Sequence, residues 1–219
     1  LCAQNAKLRI VMKIAIISDT HNKLAAIDVP PADLLIHCGD FCSYGKLDEL
    51  ERFSQEMARL PHKHKLIVAG NHDWPLQRSS QSARSLLADF IYLEDEMVEI
   101  DGLKIYGSPW QPTFMNWAFN LPRGSKELAE KWQKIPDRLD VLVTHGPPFG
   151  ILDRTNFGKR VGCELLLERV SQVKPRLHCF GHIHEAYGRA EKHDSLFVNA
   201  AVLNSIYRVA NKPVVLDLA

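Results

Sequence analysis

Short apolar runs rich in β-branched residues recur along the chain, and each closes on polar residues. The clearest are residues 13–17, 33–37, 65–68, 103–106, 141–144, 177–180, 196–198 and 214–216. Most are continuous rather than alternating, which predicts strands covered on both faces. Between several of them lie segments of helical period. Residues 46–60 place Leu47, Leu50, Phe53, Met57 and Leu60 at spacings of three and four. Residues 125–134 open on Ser125 as a cap, and 162–170 carry Leu165, Leu166 and Val170. Strands alternating with helices predict a layered α/β fold. Within 97–106 two short runs flank Asp101-Gly102, which reads as a β-hairpin.

One stretch keeps neither period. Residues 107–124, GSPWQPTFMNWAFNLPRG, hold three prolines, two tryptophans and two phenylalanines. An aromatic loop of this kind packs over the core, lines a pocket, or does both. No repeat, low-complexity stretch or linker breaks the pattern, so a single domain over residues 12–219 is expected. Residues 1–11 read as an N-terminal tail, with Met12 as a candidate natural start.

Composition narrows the class. Hydrophobic residues make up 46% of the 219 and charged residues 24%, the balance of a globular protein with a full core. The net charge of +1, from 27 basic and 26 acidic residues, offers no global field for a nucleic-acid polymer or an anionic membrane. Five cysteines (Cys2, Cys38, Cys42, Cys163 and Cys179) lack paired spacing. Cys38 and Cys179 sit in apolar runs and read as buried, reduced thiols, so a cytoplasmic protein is expected. No apolar stretch reaches the ~18–20 residues of a membrane helix. The first eleven residues lack the apolar core of a signal peptide.

The candidate chemistry lies in the residues that close the strands. These read Ser18-Asp19-Thr20-His21, Cys38-Gly39-Asp40, Ala69-Gly70-Asn71-His72-Asp73, Thr144-His145-Gly146 and Phe180-Gly181-His182-Ile183-His184. In α/β sheets the carboxyl ends of strands form the crevice where ligands bind. A histidine or aspartate after one strand is usually structural. Five strand ends carrying such residues in succession make a ligand set of two carboxylates, several imidazoles and one amide. That set suits Mn²⁺, Fe or Zn²⁺. It is too large for one ion with open positions and fits two ions sharing a carboxylate. Such a pair can bind phosphoryl oxygens and generate hydroxide near neutral pH. His37, His62, His64, His178 and His193 fall outside the pattern and read as partly buried or surface residues.

The pattern DxH, GD, GNH[DE], H, GHxH resembles the calcineurin-like metallophosphoesterases, across residues 13–184. The segments IYGSPWQPTFMNWAFNLPRG, THGPPFGILD, RVGCELL and GHIHEAYG are similar to the metallophosphoesterase-domain phosphodiesterases and their bacterial relatives. The resemblance implies a four-layered α/β/β/α sandwich of two mixed sheets flanked by helices. It implies that Asp19, His21 and His184 hold a first metal and Asn71, His145 and His182 a second, with Asp40 bridging and Mn²⁺ the expected ion. His72 becomes the acid at the departing ester oxygen, with Asn71 beside it on substrate, and Asp73 orients its ring. Some members of the closer group replace the first histidine of GHxH by glycine; this chain keeps His182. The implied activity is hydrolysis of a small phosphodiester, such as a cyclic nucleotide, by a metal-bridging hydroxide. A phosphomonoesterase and a non-catalytic nucleotide-binding scaffold are the alternatives. Trp110, Phe114 and Trp117 are candidates to stack on a base. The resemblance leaves a homodimer open.

Overall fold

The computed structural model describes residues 11–78 and 81–219. Cys2 and most of the expected tail lie outside the described residues. In chain order the elements are β1 (Met12–Ile17), β2 (Leu34–His37), α1 (Leu47–Ala58), β3 (His64–Ile67), α2 (Trp74–Gln77), α3 (Gln81–Leu86), β4 (Ile91–Tyr92), β5 (Glu96–Ile100), β6 (Leu103–Ser108), β7 (Gln111–Pro112) and β8 (Asn120–Leu121). They continue with α4 (Lys126–Gln133), β9 (Val141–Thr144), α5 (Glu164–Val173), β10 (Leu177–Phe180), β11 (Gly188–Lys192), β12 (Ser195–Asn199) and β13 (Val214–Leu218).

All the strands but β7 and β8, which pair only with each other, form two mixed sheets. The first has the order β13-β1-β2-β3-β4, parallel except for the antiparallel β13 edge. The second has the order β11-β12-β10-β9-β6-β5, with a parallel centre and an antiparallel pair at each edge. The expected hairpin is β5–β6, paired from Glu96↔Gly107 to Ile100↔Leu103.

The alternation of side chains along each strand divides the apolar residues into three layers of core. Ile14, Ile16, Leu34 and Ile36 of the first sheet meet Ile105, Val141, Val143 and Cys179 of the second between the sheets. The intervening residues Ala15, Ile17, Leu35 and Ile67 face outward onto Leu50, Phe53 and Met57 of α1. On the other side Tyr106, Leu142, Phe180 and Phe197 pack against Leu128 and Trp132 of α4 and Leu166 and Val170 of α5. Helix, sheet, sheet and helix therefore stack as four layers, and continuous apolar strands are what a sheet buried on both faces requires.

Ser125 caps α4 as expected, its side chain accepting from the Leu128 N–H. Helix α5 begins later than the spacing predicted, with Cys163 as its N-cap. Cys38, Cys42, Cys163 and Cys179 are free thiols, all buried. Among the described residues no helix is long and apolar enough to cross a membrane.

Candidate metal centre and active site

Five parallel strands end at one edge of the two sheets. Loops after β1, β2 and β3 deliver Asp19, His21, Asp40, Asn71 and His72; loops after β9 and β10 deliver His145, His182 and His184. The loops are bound to one another by backbone hydrogen bonds, Asp19 N to Gly39 O at 2.9 Å and Gly181 N to His145 O at 2.9 Å. The backbone there is strained: Asp19, His21, Asn22, Asp40 and His182 all take positive φ without being glycine. Such conformations persist where surrounding structure over-determines them, and they cluster at functional sites.

Two glycines of the motifs serve by leaving room. A Cβ on Gly70 would lie 2.3 Å from Asp40 Oδ1, and one on Gly181 only 2.0 Å from Asp19 Oδ2. Of the three motif glycines only Gly39 takes a positive φ, at 102°.

Four of the five imidazoles share one arrangement. Nδ1 of His21, His72, His145 and His184 lies within 2.6–2.9 Å of the carbonyls of Cys42, Ser43, Cys38 and Asn204. A carbonyl only accepts, so each ring donates through Nδ1–H and presents Nε2 to the centre. This is the orientation that ligating histidines use. The Nε2 atoms converge on the two carboxylates, with His184 3.3 Å from Asp19 Oδ1 and His145 3.4 Å, His21 3.7 Å and His72 3.9 Å from Asp40 Oδ2.

The arrangement fits cations. Asp19, His21 and His184 form one group whose donor atoms lie within 4.8 Å of one another; Asp40, His145 and His182 form another, and His21, Asp40 and His72 a third. Asn71 Oδ1 stands 2.9 Å from His145 Nε2, adding an oxygen to the second group. His21 Nε2 is buried and has no hydrogen-bond partner among the described residues.

Charge tells the same story. Burial alone would raise both carboxyls. Instead the hydrogen bond and charge of His184 hold Asp19 well below the usual range, and the charges of His145 and His72 hold Asp40 below it. Burial opposes charge on His145 and His184 as well, yet Asp40 and Asp19 push both rings up to about 9. His21 and His182 are pressed down by burial, to about 4 and about 3. Two buried carboxylates thus require positive charge beside them, and without cations two imidazoles must carry it as protons.

Several expectations need correction. Asp73 does not orient His72. Its carboxylate accepts from the N–H groups of Asp40 (2.9 Å), Cys42 (3.0 Å) and Gly70 (2.7 Å), tying the loops after β2 and β3 together, while the Ser43 carbonyl holds the His72 ring. Trp110 lies away from the cleft, its indole donating to Asp95 at 3.1 Å with the Lys131 ammonium 4.1 Å over its ring. Successive side chains of an extended segment face opposite ways, so its neighbour Gln111 lines the cleft instead. Trp117 stacks on His72, ring centroids 4.0 Å apart at 28°, and so braces that ring. Phe114 does line the cleft, half exposed, edge-on to His182 at 5.9 Å.

His37 and His178 are completely buried rather than peripheral. His37 Nδ1 accepts from Gly39 N, so its Nε2–H donates to Thr20 Oγ1 at 3.0 Å. The Thr144 hydroxyl donates to Gly146 O, so His178 Nε2–H donates to Thr144 Oγ1 at 2.9 Å. Burial keeps both rings neutral, with pKa values lowered to about 3. Their hydrogen sits on Nε2, the reverse of the rings that face the centre.

Sequence reasoning missed Tyr207, whose ring stands 4.9 Å from His21 and 5.2 Å from His184 at the cleft wall. Its signal was weak: a polar-aromatic segment, Asn204–Tyr207, following a sixth strand. The cleft that Asp40, Asn71, His182 and His184 help to line has a volume of about 670 Å³.

Comparison with known proteins agrees with this geometry. The family model described as Calcineurin-like phosphoesterase matches residues 12–186. Human Metallophosphoesterase domain-containing protein 1 is 41% identical, covering 92% of this chain and 69% of its own length. A Caenorhabditis elegans UPF0046 protein is 38% identical over 93% of this chain and 74% of its own. Among solved structures, TT1561 of Thermus thermophilus aligns with a TM-score of 0.60 at 15% identity, covering 87% of this chain and 89% of that one. Phosphopantetheinyl hydrolase from Mycobacterium tuberculosis aligns at 0.59 and 15%, covering 89% and 90%. Their likeness is one of fold. A seam of histidine and aspartate fit for metal, set in this sandwich and matched along most of its length, places the chain in the calcineurin-like phosphoesterase family as a phosphoric ester hydrolase.

Proposed function

We propose that the protein is a phosphodiesterase for small, nucleotide-sized diesters, working with two divalent ions, of which Mn²⁺ is the first to test and Fe or Zn²⁺ the alternatives. The observation that carries the reading is the set of Nδ1-anchored imidazoles whose Nε2 atoms converge on Asp19 and Asp40. Asp19, His21 and His184 would hold one ion, and Asn71, His145 and His182 the other, with Asp40 between them. Bound there, the ions would polarise the phosphoryl group and provide a nucleophile near neutral pH.

The chain's own contribution is to place a proton. His72 lines the cleft beside Asp40 and is fixed from two sides, by the Ser43 carbonyl at Nδ1 and by the Trp117 ring. With Nδ1 committed to that carbonyl, a proton given up at Nε2 comes from the imidazolium form. An ester oxygen leaving on that side would receive it.

Cleft shape favours a diester. Beyond the ligands, Phe114, Pro112, Pro147 and Ile183 mix with polar residues in a space far larger than one phosphate needs, which leaves room for a second ester substituent. Phe114 offers that substituent a ring face.

The deciding experiment measures bis-p-nitrophenyl phosphate against p-nitrophenyl phosphate, with metal-stripped protein and Mn²⁺ added back. Metal-dependent cleavage that is faster on the diester is expected. Faster cleavage of the monoester would replace this reading with that of a phosphatase.

A further inference from the structure

One wall of the cleft belongs to neither the metal ligands nor His72. It is built from the hairpin tip at residues 154–160, closed by Thr155 N to Lys159 O at 3.0 Å, and brings Lys159 and Arg160 to the same cavity that Asp40, His182 and His184 line. Beneath it Asp153 is completely buried. Its carboxylate accepts from Gly150 N at 2.8 Å and Gly162 N at 3.2 Å, and binds Arg160 Nη1 at 2.9 Å. The Arg160 guanidinium, 39% exposed, is therefore held by one nitrogen, while the rest of its fork has no partner among the described residues.

The other charges on this wall are those of Arg123, Glu164 and Glu185. Arg123 is spent on the protein, donating to the carbonyls of Gly162 and Val161 and pairing with Glu164, which neutralises that carboxylate. Glu185 accepts from Asn156 N at 3.5 Å and keeps its negative charge at the edge of the cavity. Lys159 is exposed, and among the described residues its ammonium has no partner. One oriented guanidinium and one free ammonium thus face a cavity whose other end suits a phosphoryl group.

We propose that Lys159 and Arg160 form a second anion-binding subsite, selecting phosphoesters that carry a further phosphate on the part of the molecule remote from the hydrolysed bond. This rests on the phosphoester-hydrolase reading of the centre and narrows its substrate class. A compact diester with no second anion would bind at the metal end alone. A charge-assisted contact of this kind is worth about a tenfold gain in affinity or more.

The test reads binding, by isothermal titration calorimetry on Mn²⁺-loaded protein, with adenosine 3′,5′-bisphosphate and adenosine 5′-monophosphate as probes. The bisphosphate should bind at least about tenfold more tightly. Lys159→Gln, an exposed change that spares the Asp153–Arg160 pair, should bring the two affinities to within about threefold, and Lys159→Arg should restore the preference. Equal affinities in the unaltered protein, or a preference that survives Lys159→Gln, would overturn the subsite. A protein that cleaves no bis-p-nitrophenyl phosphate yet keeps the Lys159-dependent preference would overturn the diesterase reading and uphold the subsite.

Discussion

At the scale of single residues, the centre is specified by which nitrogen of each imidazole carries hydrogen. Backbone carbonyls fix that choice for His21, His72, His145 and His184, while the Gly39 N–H and the Thr144 hydroxyl fix the opposite choice for His37 and His178. The ligand types were legible in the sequence because each is a side chain at the end of an apolar run. Their anchors were not, because Cys42, Ser43, Cys38 and Asn204 act through carbonyls that every residue possesses. The same reason hid the work of Asp73, whose three partners are backbone N–H groups of residues as distant as Asp40. A prediction separates His72 from the ligands around it. His72→Ala removes a ring that belongs to neither proposed ion, so metal content by mass spectrometry should stay at the level of the unaltered protein. Turnover of bis-p-nitrophenyl phosphate should fall by ~10²–10⁴ as the positioned acid is lost. A variant that loses metal together with activity would make His72 a ligand, as its place beside His21 and Asp40 would then require.

At the scale of elements, the apolar pattern located the central strands to within a residue or two, since strands buried on both faces must be continuously apolar. The short pairs β4 and β7–β8 and the edge strand β11 escaped it. Two residues carry no period, and β11, reading GRAEK, is polar because it lies at a sheet edge. Helix α1 shows how an element reaches the site without touching it. Glu49, in its first turn, accepts from the N–H groups of Ser43, Tyr44 and Lys46, and from the Asn22 side chain. It thereby fixes the loop whose Cys42 and Ser43 carbonyls hold His21 and His72. Removing it strands several donors and frees that loop. Glu49→Ala should therefore cost about 1–3 kcal/mol in urea unfolding and lower turnover as well. Burial opposes the charge on Glu49, but its hydrogen bonds, led by Lys46 N–H, lower its pKa below 4.5. A depressed carboxyl stabilises above its unfolded pKa, so the deficit of the variant should be full at pH 7 and shrink as the pH falls below about 4.5. A deficit that grows on acidification would contradict the assignment.

At the scale of the whole molecule, the centre lies on the seam between two sheets. Asp19, Asp40 and Asn71 come from the first; His145, His182 and His184 come from the second. The layered α/β class followed from the alternation of elements. The second sheet followed only from the family resemblance, because no local period reveals which strands share a sheet. Below the seam the sheets are joined by apolar packing, and at the seam they bring two buried carboxylates against a ring of imidazoles. Ions bound there would join the sheets where polar side chains, not apolar ones, meet. Metal should consequently stabilise the fold as well as enable the chemistry. At a hundredfold excess over Kd, a ligand that binds only the folded state adds about 2.7 kcal/mol. For a domain of this size that corresponds to a rise in Tm of roughly 5–10 °C. Chelator-treated protein should therefore melt lower by that amount, and Mn²⁺ should restore it. Asp40→Ala should abolish the metal-induced rise, since Asp40 is the carboxylate that imidazoles from both sheets approach. If that variant kept the full rise, the remaining ligands from both sheets would hold the ions without it, and Asp40 would not be the shared carboxylate.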